Sequence, residues 1–453
     1  MRPSDRDTIV AVATSPGEGA VGIVRLSGSR AVEIAAPCFQ SGQKLHQVAD
    51  RRLTYGRFVV GDRDLDEVLV AVMRSPRTYT GEDLVEFNCH GGPLLLRRVV
   101  EALVDGGARI AERGEFTRRA FLNGRIDLTQ AEAVADLIAA RSDLSLRSAY
   151  FQLRGGLRVR FESMAEDLRQ ALALLEAGLD FSEDVQVDPQ TVRLPLSRAA
   201  GGVDRLIASY TRGKIVRDGA LVTLAGRPNV GKSSLLNRLL EEDRAIVTPI
   251  PGTTRDTIEE AVTLDGLRIT LVDTAGIRTP GNPVEREGTR RSRRSIEQAD
   301  LVLLVVDASE PPGNRDLRLI QDLQERSVLL VLNKRDLGSH PTWEGTGREH
   351  RQIPVSALTG QGIDGLRTAV RTAVLDGFPP QEAEVLTHER HVESLRRAGG
   401  ALSRAEEALR ACLPGELVAM ELREALDALG EIVGETTSDA ILDRIFQTFC
   451  IGK

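Results

Sequence analysis

A phosphate-binding pattern of eight residues, Gly226-Arg-Pro-Asn-Val-Gly-Lys-Ser233, stands near the middle of the chain. It follows an apolar run and precedes a helical pattern over 234–240, which is the context that a phosphate-binding loop requires. Glycines let the main chain wrap a phosphate, and backbone N–H groups at the start of the helix attract its charge. Lys232 would bridge the β- and γ-phosphates, and the Ser233 hydroxyl would ligate Mg²⁺. The other residues of this loop predicted to contact a nucleotide are Asn229, Val230, Gly231 and Ser234.

Four further polar motifs follow the loop in order. Pro251-Gly-Thr-Thr-Arg-Asp256 carries threonines that can sense a γ-phosphate and Mg²⁺, and Asp273-Thr-Ala-Gly276 ends an apolar run. In Asn333-Lys-Arg-Asp336, the Asp336 carboxylate can accept hydrogen bonds from N1–H and the exocyclic amine of guanine, which selects GTP over ATP. Ser356-Ala-Leu358 is similar to a loop whose backbone N–H receives guanine O6. These motifs and their surroundings add the following residues to the predicted nucleotide site: Thr248, Thr253, Thr254, Asp273, Thr274, Ala275, Gly276, Asn333, Lys334, Asp336, Ser356, Ala357 and Leu358.

Each motif alone is more often an ordinary turn. Five of them in this order, most of them at the ends of successive strand-like runs, predict a GTP-binding domain. The alternative is a degenerate copy that no longer hydrolyses GTP, and the presence of Lys232, Ser233, Asp273 and Asp336 argues against it.

The residue that orients the attacking water is not the glutamine of Ras-like proteins, because Ile277 stands at the corresponding position. Glu285 is the favoured candidate over the neighbouring Glu287. The alternative for Glu285 is a solvated carboxylate at the start of a helix. The arginines that follow form a charge run typical of a solvated face, so none of them is singled out as an arginine finger.

Asn229 offers a second source of catalytic charge. Its side-chain carbonyl, together with backbone carbonyls of the loop 248–253, could coordinate a monovalent cation against the charge that develops on the phosphate. The alternative is that the Asn229 side chain only satisfies its own backbone in a tight turn. The sequence alone favours this second interpretation.

The elements that must position these motifs form an alternating pattern between residues 218 and 377. Apolar runs at 220–225, 268–272, 301–306, 328–332 and 353–355 are separated by helical stretches. Such alternation predicts an α/β P-loop GTPase domain with a mainly parallel sheet and helices on both faces.

The flanking regions have different patterns. Residues 1–120 carry short strand-like runs at 9–13, 22–26, 69–73 and 85–89 and one helix at 93–105, which predicts an α+β domain. Residues 121–217 and 378–453 have helical periodicity, and Asp127 with Gln130 predicts a capping box. We therefore expect a multidomain fold in which the α/β domain is inserted into a helical domain, whose two parts pack together.

Composition sets limits on partners and location. The chain has 453 residues, of which 41% are hydrophobic, and a formal net charge of −7. Two or three domains are expected, since one domain usually has roughly 100–200 residues. Because there is no overall basic field, contact with nucleic acid requires local arginine clusters or a partner. We expect a cytoplasmic protein, because the sequence shows neither a signal peptide nor a long apolar segment.

The four cysteines contain no CxxC pair, which argues against a zinc site and a disulfide framework. Cys89 precedes His90, but without a second ligand pair strand packing is the better interpretation. Cys450 follows an apolar helical stripe that ends at Phe449. A small buried hydrophobic side chain is therefore favoured over a nucleophile.

The motif set and its surroundings resemble the MnmE (TrmE) family of bacterial tRNA-modification GTPases. The likeness covers essentially the whole chain and includes Gly114-Glu-Phe-Thr-Arg-Arg-Ala-Phe-Leu-Asn123 and Cys450-Ile-Gly-Lys453. The other segments that carry it outside the GTPase motifs are 7–11, 22–28, 79–83, 90–92 and 127–133.

The resemblance implies that the 1–120 domain dimerises and binds a tetrahydrofolate one-carbon donor, in its 5-formyl or methylene form. It places this folate on Arg25, Glu82, Arg125 and Lys453. Cations suit the carboxylates of the folate, and a carboxylate can accept two hydrogen bonds from the pterin. Arg125 stands where the family often has Lys. For Arg25 and Glu82, the sequence alone favours a plain salt bridge.

The resemblance also implies a K⁺ site at Asn229 and the carbonyls of Thr248, Ile250 and Thr253. It further implies Mg²⁺ at Ser233 and Thr254, and Glu285 as the residue that orients water. K⁺-dependent pairing of G domains would replace an external activator. The implied partners are a second copy of the chain, tRNA and the FAD- and NADH-using subunit MnmG (GidA). The implied product carries an aminomethyl-type substituent on C5 of the wobble uridine.

Two other functions remain open at this stage. The first is a ribosome-assembly GTPase of the Era or Der type, although no second G domain or KH module is visible. The second is a folate-binding scaffold with a vestigial G domain. Contact with RNA also remains open, and the candidate residues for it are Arg141, Arg147, Arg154, Arg158 and Arg160.

Overall fold

The computed structural model describes residues 7–180, 189–242, 259–264, 266–273, 294–375 and 384–453. Contacts between residues divide the chain into two compact units. The first comprises Met1–Ala135, Gln152–Ala199 and Gly400–Lys453, and the second comprises Asp136–Phe151 and Ala200–Gly399. Among the described residues, no helix is both long and apolar enough to cross a membrane.

The first unit contains a seven-stranded sheet with the order β3-β4-β5-β6-β2-β1-β7. Neighbouring strands are antiparallel except β1 and β7, which are parallel. Helix α2 covers the sheet with Leu96, Val99 and Leu103, which pack into one core with Val24 and Phe87. The strands are β1 (Ile9–Val12), β2 (Gly19–Ser27), β3 (Phe39–Gln40), β4 (Thr54–Val60), β5 (Arg63–Met73), β6 (Leu84–Gly91) and β7 (Arg109–Ile110).

The second unit contains a six-stranded sheet with the order β13-β12-β11-β8-β10-β9. All neighbours are parallel except β9, which pairs antiparallel with β10. In β11, Leu303 and Val305 face one hydrophobic cluster while Leu304 and Val306 face another, so this strand is buried on both sides. The strands are β8 (Ala220–Ala225), β9 (Glu259–Leu264), β10 (Leu267–Asp273), β11 (Leu301–Asp307), β12 (Val328–Asn333) and β13 (Arg351–Pro354).

The expected mainly parallel sheet is confirmed, but the edge strand β9 was not predicted. Its sequence Glu-Glu-Ala-Val-Thr-Leu alternates, with Val262 and Leu264 buried and Glu260 exposed. An edge strand with one solvated face carries a weaker apolar signal than a strand buried on both sides. The apolar runs of β8, β11 and β12 were recognised because nearly every residue of these strands is buried.

The helices are α1 (Ala31–Ala35), α2 (Pro93–Asp105), α3 (Glu115–Leu122), α4 (Leu128–Ala139), α5 (Asp143–Leu153), α6 (Gly156–Asp180), α7 (Pro189–Asp218), α8 (Lys232–Glu242), α9 (Asn314–Asp322), α10 (Ile363–Val374), α11 (Glu389–Arg410), α12 (Gly415–Val433) and α13 (Asp439–Gln447). The capping box before α4 is confirmed, because Gln130 N donates to Asp127 Oδ1 (2.9 Å) and Asp127 N donates to Gln130 Oε1 (3.0 Å).

Helices from before and after the α/β region contact each other in the first unit. Helices α6 and α12 lie side by side, and Arg423 Nη2 donates to Glu176 Oε1 over 2.6 Å. Leu128 from the start of α4 packs against Leu442 and Phe446 of α13. The expected packing of the two helical parts is therefore observed.

The two predictions for cysteines have different outcomes. Cys89 is buried in β6, as expected from strand packing. The expectation that Cys450 is buried is wrong, because its side chain is exposed. Helix α13 ends at Gln447 and Phe449 takes the buried position, so the helical spacing that predicted burial does not extend to Cys450.

Candidate nucleotide site and arginine network

The loop between β8 and α8 has a backbone that requires glycine at two positions. Gly226 has φ +145° and Gly231 has φ +94°. A Cβ atom would lie 2.2 Å from the Val305 carbonyl oxygen at Gly226 and 2.3 Å from Asn333 Nδ2 at Gly231. Larger residues would therefore push the loop away from β11 and β12. Helix α8 begins at Lys232, so the N–H groups of its N-terminus adjoin the loop.

Lys232 and Ser233 lie where the sequence placed them, at the start of α8. The buried Lys232 reaches across the loop, and its Nζ donates to the carbonyl oxygens of Gly226 (2.9 Å) and Arg227 (2.7 Å). Ser233 Oγ donates to Asp273 Oδ2 over 3.0 Å. A hydroxyl and a carboxylate in contact supply the hard oxygen ligands that Mg²⁺ prefers, so this pair fits a magnesium site.

Asn333 connects the loop to the region predicted to bind guanine. Its Nδ2 donates to the Val230 carbonyl oxygen (2.8 Å), and its Oδ1 accepts a hydrogen bond from Ala357 N (3.0 Å). The side chain is 2% exposed. Both ends of the amide are therefore used to hold two loops in a fixed relation, a role that the sequence did not reveal.

The predicted guanine pocket is arranged around Asp336 and Ser356. Asp336 Oδ1 accepts a hydrogen bond from Ser356 Oγ over 2.5 Å. Lys334, in a left-handed conformation with φ +64°, forms an ion pair with Asp307 (Nζ to Oδ2, 2.6 Å). Burial raises the pKa of the Asp307 carboxyl, but hydrogen bonds from Lys334 and Ser309 outweigh it and hold the pKa below its ordinary value.

Two residues of this region were missed at the sequence level. Asp307 ends the apolar run of β11, which is the same signal that identified Asp273 at the end of β10. Arg238 on α8 donates to the carbonyl oxygens of Ala357 (3.3 Å) and Leu358 (2.8 Å), which holds their loop in place. No local pattern distinguishes Arg238 from any other helical arginine.

Several predicted site residues lie outside the described residues. They are Thr248, Ile250, Thr253, Thr254, Thr274, Ala275, Gly276 and Glu285. Asn229 is described, and it is exposed with φ +64°. Asn tolerates this left-handed conformation better than most residues. An exposed side chain on the loop is accessible to a ligand.

In the first unit, Arg25 and Lys453 lie close together. Arg25 Nε donates to Glu86 Oε1 over 2.7 Å, and its guanidinium lies 5.7 Å from the Phe116 ring centroid. Burial lowers the pKa of Lys453, and the charge of Arg25 lowers it further, while Glu86 opposes both. Two cations therefore adjoin one carboxylate here, which leaves an excess of positive charge.

Glu82 belongs to a network around Arg119. The Arg119 guanidinium is 2% exposed and contacts three carboxylates: Asp7 (2.7 Å), Glu82 (3.2 Å) and Glu115 (3.0 Å). Glu82 Oε2 also accepts a hydrogen bond from Ser27 Oγ over 2.7 Å. The sequence prediction missed Arg119, although the Glu115 to Arg119 spacing of four residues on α3 was a signal for an ion pair.

Arg125 lies next to the same loop as Glu82. Its Nε donates to the Thr78 carbonyl oxygen over 3.0 Å, and Thr78 Oγ1 donates to the Glu82 carbonyl oxygen over 2.6 Å. The four residues predicted to hold folate thus all lie in the first unit, as two local pairs.

The arginines considered for RNA contact fall in both units. Arg141 and Arg147 belong to the second unit, whereas Arg154, Arg158 and Arg160 belong to the first. Arg158 Nε is already paired with Glu162 Oε1 at 2.6 Å. Contact of these arginines with RNA stays a prediction.

Comparisons with known proteins cover the whole chain. A family model described as "MnmE helical domain" matches residues 128–450, and "GTP-binding protein TrmE N-terminus" matches residues 8–125. The tRNA modification GTPase MnmE of Syntrophotalea carbinolica is 47% identical over 99% of both chains. That of Moorella thermoacetica is 45% identical, again over 99% of both chains. The crystal structure of the G domain of the T. maritima FeoB iron transporter is 27% identical, covering 34% of this chain and 98% of that one, with a TM-score of 0.25.

These matches decide between the families considered from the sequence. An Era- or Der-type GTPase is not favoured, because the matches extend through the regions before and after the α/β insertion. The relatives are similar over the full length rather than over the nucleotide site alone. The chain therefore belongs to the tRNA modification GTPase MnmE family.

Proposed function

We propose that this chain hydrolyses GTP to drive modification of the wobble uridine of tRNA at C5, giving a carboxymethylaminomethyl-type group. The observation that carries the GTPase activity is the link through Asn333 between the phosphate loop and the Ser356-Ala-Leu358 loop. It supports binding of phosphates and guanine in one site. Action on tRNA is supported by membership of the family, whose relatives are named for it.

In this proposal, residues 218–377 form the G domain, inserted between the helical parts 121–217 and 378–453. Ser233 and Thr254 hold Mg²⁺, which when bound supplies positive charge beside the phosphates, and Asp273 adjoins it. Lys232 neutralises charge on the β- and γ-phosphates, and Glu285 orients water. The contact of Ser233 with Asp273 supports the magnesium site.

K⁺ is the proposed activating ion. Asn229 would bind it with the carbonyls of Thr248, Ile250 and Thr253, and pairing of two G domains would complete the site. The exposed position of Asn229 supports this role, because a cation can reach its side-chain carbonyl oxygen. A bound cation would stabilise negative charge that develops in the transition state.

Residues 1–120 are proposed to bind the tetrahydrofolate donor and to dimerise. Arg25 and Lys453 together offer positive charge for the folate carboxylates, and Glu82 offers a carboxylate for the pterin. Arg125 adjoins the same loop. Exposed apolar side chains at Leu53 (57%), Tyr55 (60%) and Leu69 (42%) support a dimer, since Tyr55 and Leu69 are direct neighbours on β4 and β5.

The partner proposed for the carbon chemistry is the FAD-dependent subunit MnmG (GidA). The two proteins and tRNA would work together in the cytoplasm. GTP hydrolysis would provide a conformational step, while flavin and folate carry the redox and one-carbon chemistry.

The decisive experiment measures GTP turnover by the full chain in K⁺ and Na⁺ buffers of equal ionic strength. Wild type is compared with Asn229→Gly, which keeps the left-handed backbone without the side-chain carbonyl, and with Asn229→Ala, which also strains the backbone. We expect K⁺ to stimulate wild type strongly and both variants to lose the stimulation. Equal slow rates of wild type in both salts would refute the cation mechanism, and loss in Asn229→Ala alone would assign the effect to backbone strain.

The folate proposal has a separate test. Binding of 5-formyltetrahydrofolate is measured by calorimetry for wild type, Arg25→Gln and Arg57→Gln. Arg57 is a matched control, because it lies on β4 of the same sheet and forms an exposed ion pair with Asp64. We expect Arg25→Gln to lower affinity roughly tenfold or more, the value of a charge-assisted hydrogen bond, and Arg57→Gln to bind normally. Unchanged binding by Arg25→Gln would remove this residue from the site.

A further inference from the structure

A cleft of about 290 Å³ lies in the second unit, where α7 runs into β8. Its walls come from the end of α4, the start of α5, the α7–β8 junction, the beginning of β10 and the residue before His388. This volume is just below the roughly 300–1,000 Å³ of sites for drug-sized ligands, so it suits a small group. Nothing in the proposed GTPase or folate sites uses this cleft.

The two carboxylates of the cleft are already paired. Asp136 Oδ2 accepts a hydrogen bond from His388 Nε2 over 2.9 Å. Asp218 forms a two-point ion pair with Arg217 (2.8 and 3.0 Å). Arg217 Nη1 also donates to the Thr387 carbonyl oxygen, which fixes the guanidinium at the wall. Three arginines, Arg141, Arg217 and Arg268, therefore line the cleft with two carboxylates, which leaves an excess of positive charge.

Arg141 and Arg268 both line the cleft. Within the described part of the chain, neither forms an ion pair or donates a side-chain hydrogen bond. Burial lowers the pKa of Arg268, and the charge of Arg141 lowers it further, against the opposing charge of Asp218. The two guanidinium groups thus repel each other, and both carboxylates of the cleft already have hydrogen-bond partners in His388 and Arg217.

The backbone holds these walls together. Leu144 N, at the start of α5, donates to the Gly266 carbonyl oxygen in the β9–β10 turn over 3.2 Å. Arg141 lies three residues before Leu144, and Arg268 lies two residues after Gly266. The two arginines are therefore brought together by a main-chain contact rather than by a ligand, so the cleft is formed in advance.

We propose that this cleft is a binding site for a phosphate group, held by Arg141 and Arg268 with Arg217 behind them. A guanidinium fork matches two oxygens of a phosphate, and an anion removes the repulsion between two neighbouring cations. The group is either free inorganic phosphate or a backbone phosphate of an RNA strand. Only the RNA source rests on the proposed function, and the site itself rests on the cleft.

The first arm of the test measures phosphate binding. Thermal unfolding of the full chain, saturated with GDP to occupy the phosphate loop, is followed in inorganic phosphate and in chloride of equal ionic strength. The variants are Arg268→Gln and Arg141→Gln. The control is Arg351→Gln, since Arg351 also lies at the beginning of a strand of the same sheet. It is exposed, as Arg141 is, and lies outside the cleft.

We expect a saturable, phosphate-dependent rise in Tm in wild type and Arg351→Gln. In Arg268→Gln and Arg141→Gln the phosphate affinity should fall roughly tenfold or more. In chloride, the Tm of Arg268→Gln should be unchanged or higher, because a repulsion is removed. Absence of the rise in wild type, or its persistence in Arg268→Gln, would overturn the site, as would a lower Tm of Arg268→Gln in chloride.

The second arm identifies the source of the phosphate. Binding of a fluorescently labelled, unmodified tRNA transcript is measured over a range of salt concentrations. If RNA supplies the phosphate, Arg268→Gln weakens binding and reduces the slope of log K against log salt by roughly 0.7–0.9, the value for one lost phosphate contact. If free phosphate is the ligand, Arg268→Gln binds tRNA like Arg351→Gln. Both arms are independent of GTP turnover, so failure of the GTPase proposal would appear in a different assay.

Discussion

The nucleotide edge of the second unit consists of the loop 226–233 and Asn333. It positions charge differently from the Arg119 network of the first unit. At the nucleotide edge, Lys232 donates to carbonyl oxygens of its own loop, five and six residues away. In the first unit, Arg119 contacts Asp7 and Glu82, which are 112 and 37 residues away. The charged side chain of the nucleotide edge thus contacts main-chain atoms that are close in sequence, whereas Arg119 contacts mostly side chains that are distant in sequence.

This difference separates function from stability. A loop that is held by its backbone can lose one functional side chain and keep its shape. A buried guanidinium that contacts three carboxylates cannot be removed without leaving part of their charge uncompensated, above all that of Glu82, and that is destabilising. We therefore expect substitutions at the nucleotide edge to change activity, and substitutions in the Arg119 network to change folding.

The largest expected effect is the loss of stability in Arg119→Met. Removal of one partner of a buried ion pair costs about 3–5 kcal/mol. The unfolding of each unit in urea is measured by pulse-labelling with deuterium and mass spectrometry, because peptides from the two units report their exchange separately. Arg98→Met is the control, since Arg98 forms an exposed ion pair with Glu101, and exposed pairs contribute only about 0–1 kcal/mol.

The single tryptophan sharpens this test. Trp343 lies in the second unit and is 1% exposed, so its fluorescence reports the unfolding of that unit alone. In Arg119→Met, we expect the Trp343 transition to stay at the wild-type urea concentration while the first unit unfolds earlier. A joint shift of both transitions would show that the network serves the whole chain rather than one unit.

The next effect is the loss of activity in Lys232→Ala. Loss of one group that stabilises transition-state charge lowers turnover by roughly 10²–10³-fold. The Trp343 transition should move little, because the glycine geometry and Asn333 still hold the loop. Lys214→Ala, an exposed lysine of the same unit, should keep full GTP turnover. A large fall in stability without a specific loss of turnover would break the comparison.

A smaller effect is expected at Asn333. This residue lies in the nucleotide region, but like Arg119 it is a buried side chain that holds distant segments together. Asn333→Ala leaves the buried Val230 carbonyl and Ala357 N–H without their partner, which costs about 1–3 kcal/mol. The variant should unfold earlier by Trp343 fluorescence and also bind GTP more weakly. Asn237→Ala is the control, because Asn237 is an exposed residue of helix α8 in the same unit. Normal GTP affinity in a destabilised Asn333→Ala would show that the link is structural only.

The same contrast explains what the sequence predicted. Strands buried on both sides, such as β8 and β11, give continuous apolar runs. The motifs near strand ends are contiguous in sequence, so roles for Lys232, Asp273 and Asp336 could be predicted. Strand β9 was missed because an edge strand with one exposed face has no such run. The inserted order of the domains followed from the change between strand and helix periodicity.

Sites assembled from distant segments were less predictable. Arg119, Asp7 and Glu82 come together through the folding of the first unit, and no spacing along the chain encodes their contact. Glu82 was assigned by resemblance alone, and Arg119 was not assigned. The cleft with Arg141 and Arg268 was also invisible, because 127 residues separate two side chains that are brought together by the Leu144 to Gly266 hydrogen bond. Cys450 shows the reverse error, since a helical stripe was extended past the end of its helix.

The smallest expected effect is a difference in acid sensitivity between wild type and Arg119→Met. Burial raises the pKa values of Asp7 and Glu115, but hydrogen bonds led by Arg109 outweigh it, with Arg119 contributing at both, so both pKa values lie below their ordinary values of 3.8 and 4.5. A depressed pKa contributes stability that is complete above the unfolded pKa and is lost as pH falls through the folded pKa.

Wild type should therefore lose stability of the first unit as pH falls below about 4.5, the higher of these two ordinary values. In Arg119→Met the pKa values of Asp7 and Glu115 should rise towards their ordinary values, so less stability depends on their ionisation and the acid dependence becomes shallower. The urea midpoint of the first unit is measured at several pH values from 7 to 3.5, with the deuterium pulse given at one fixed pH. Equal slopes in both proteins would mean that Arg109 alone sets the two pKa values, and that Arg119 acts through Glu82.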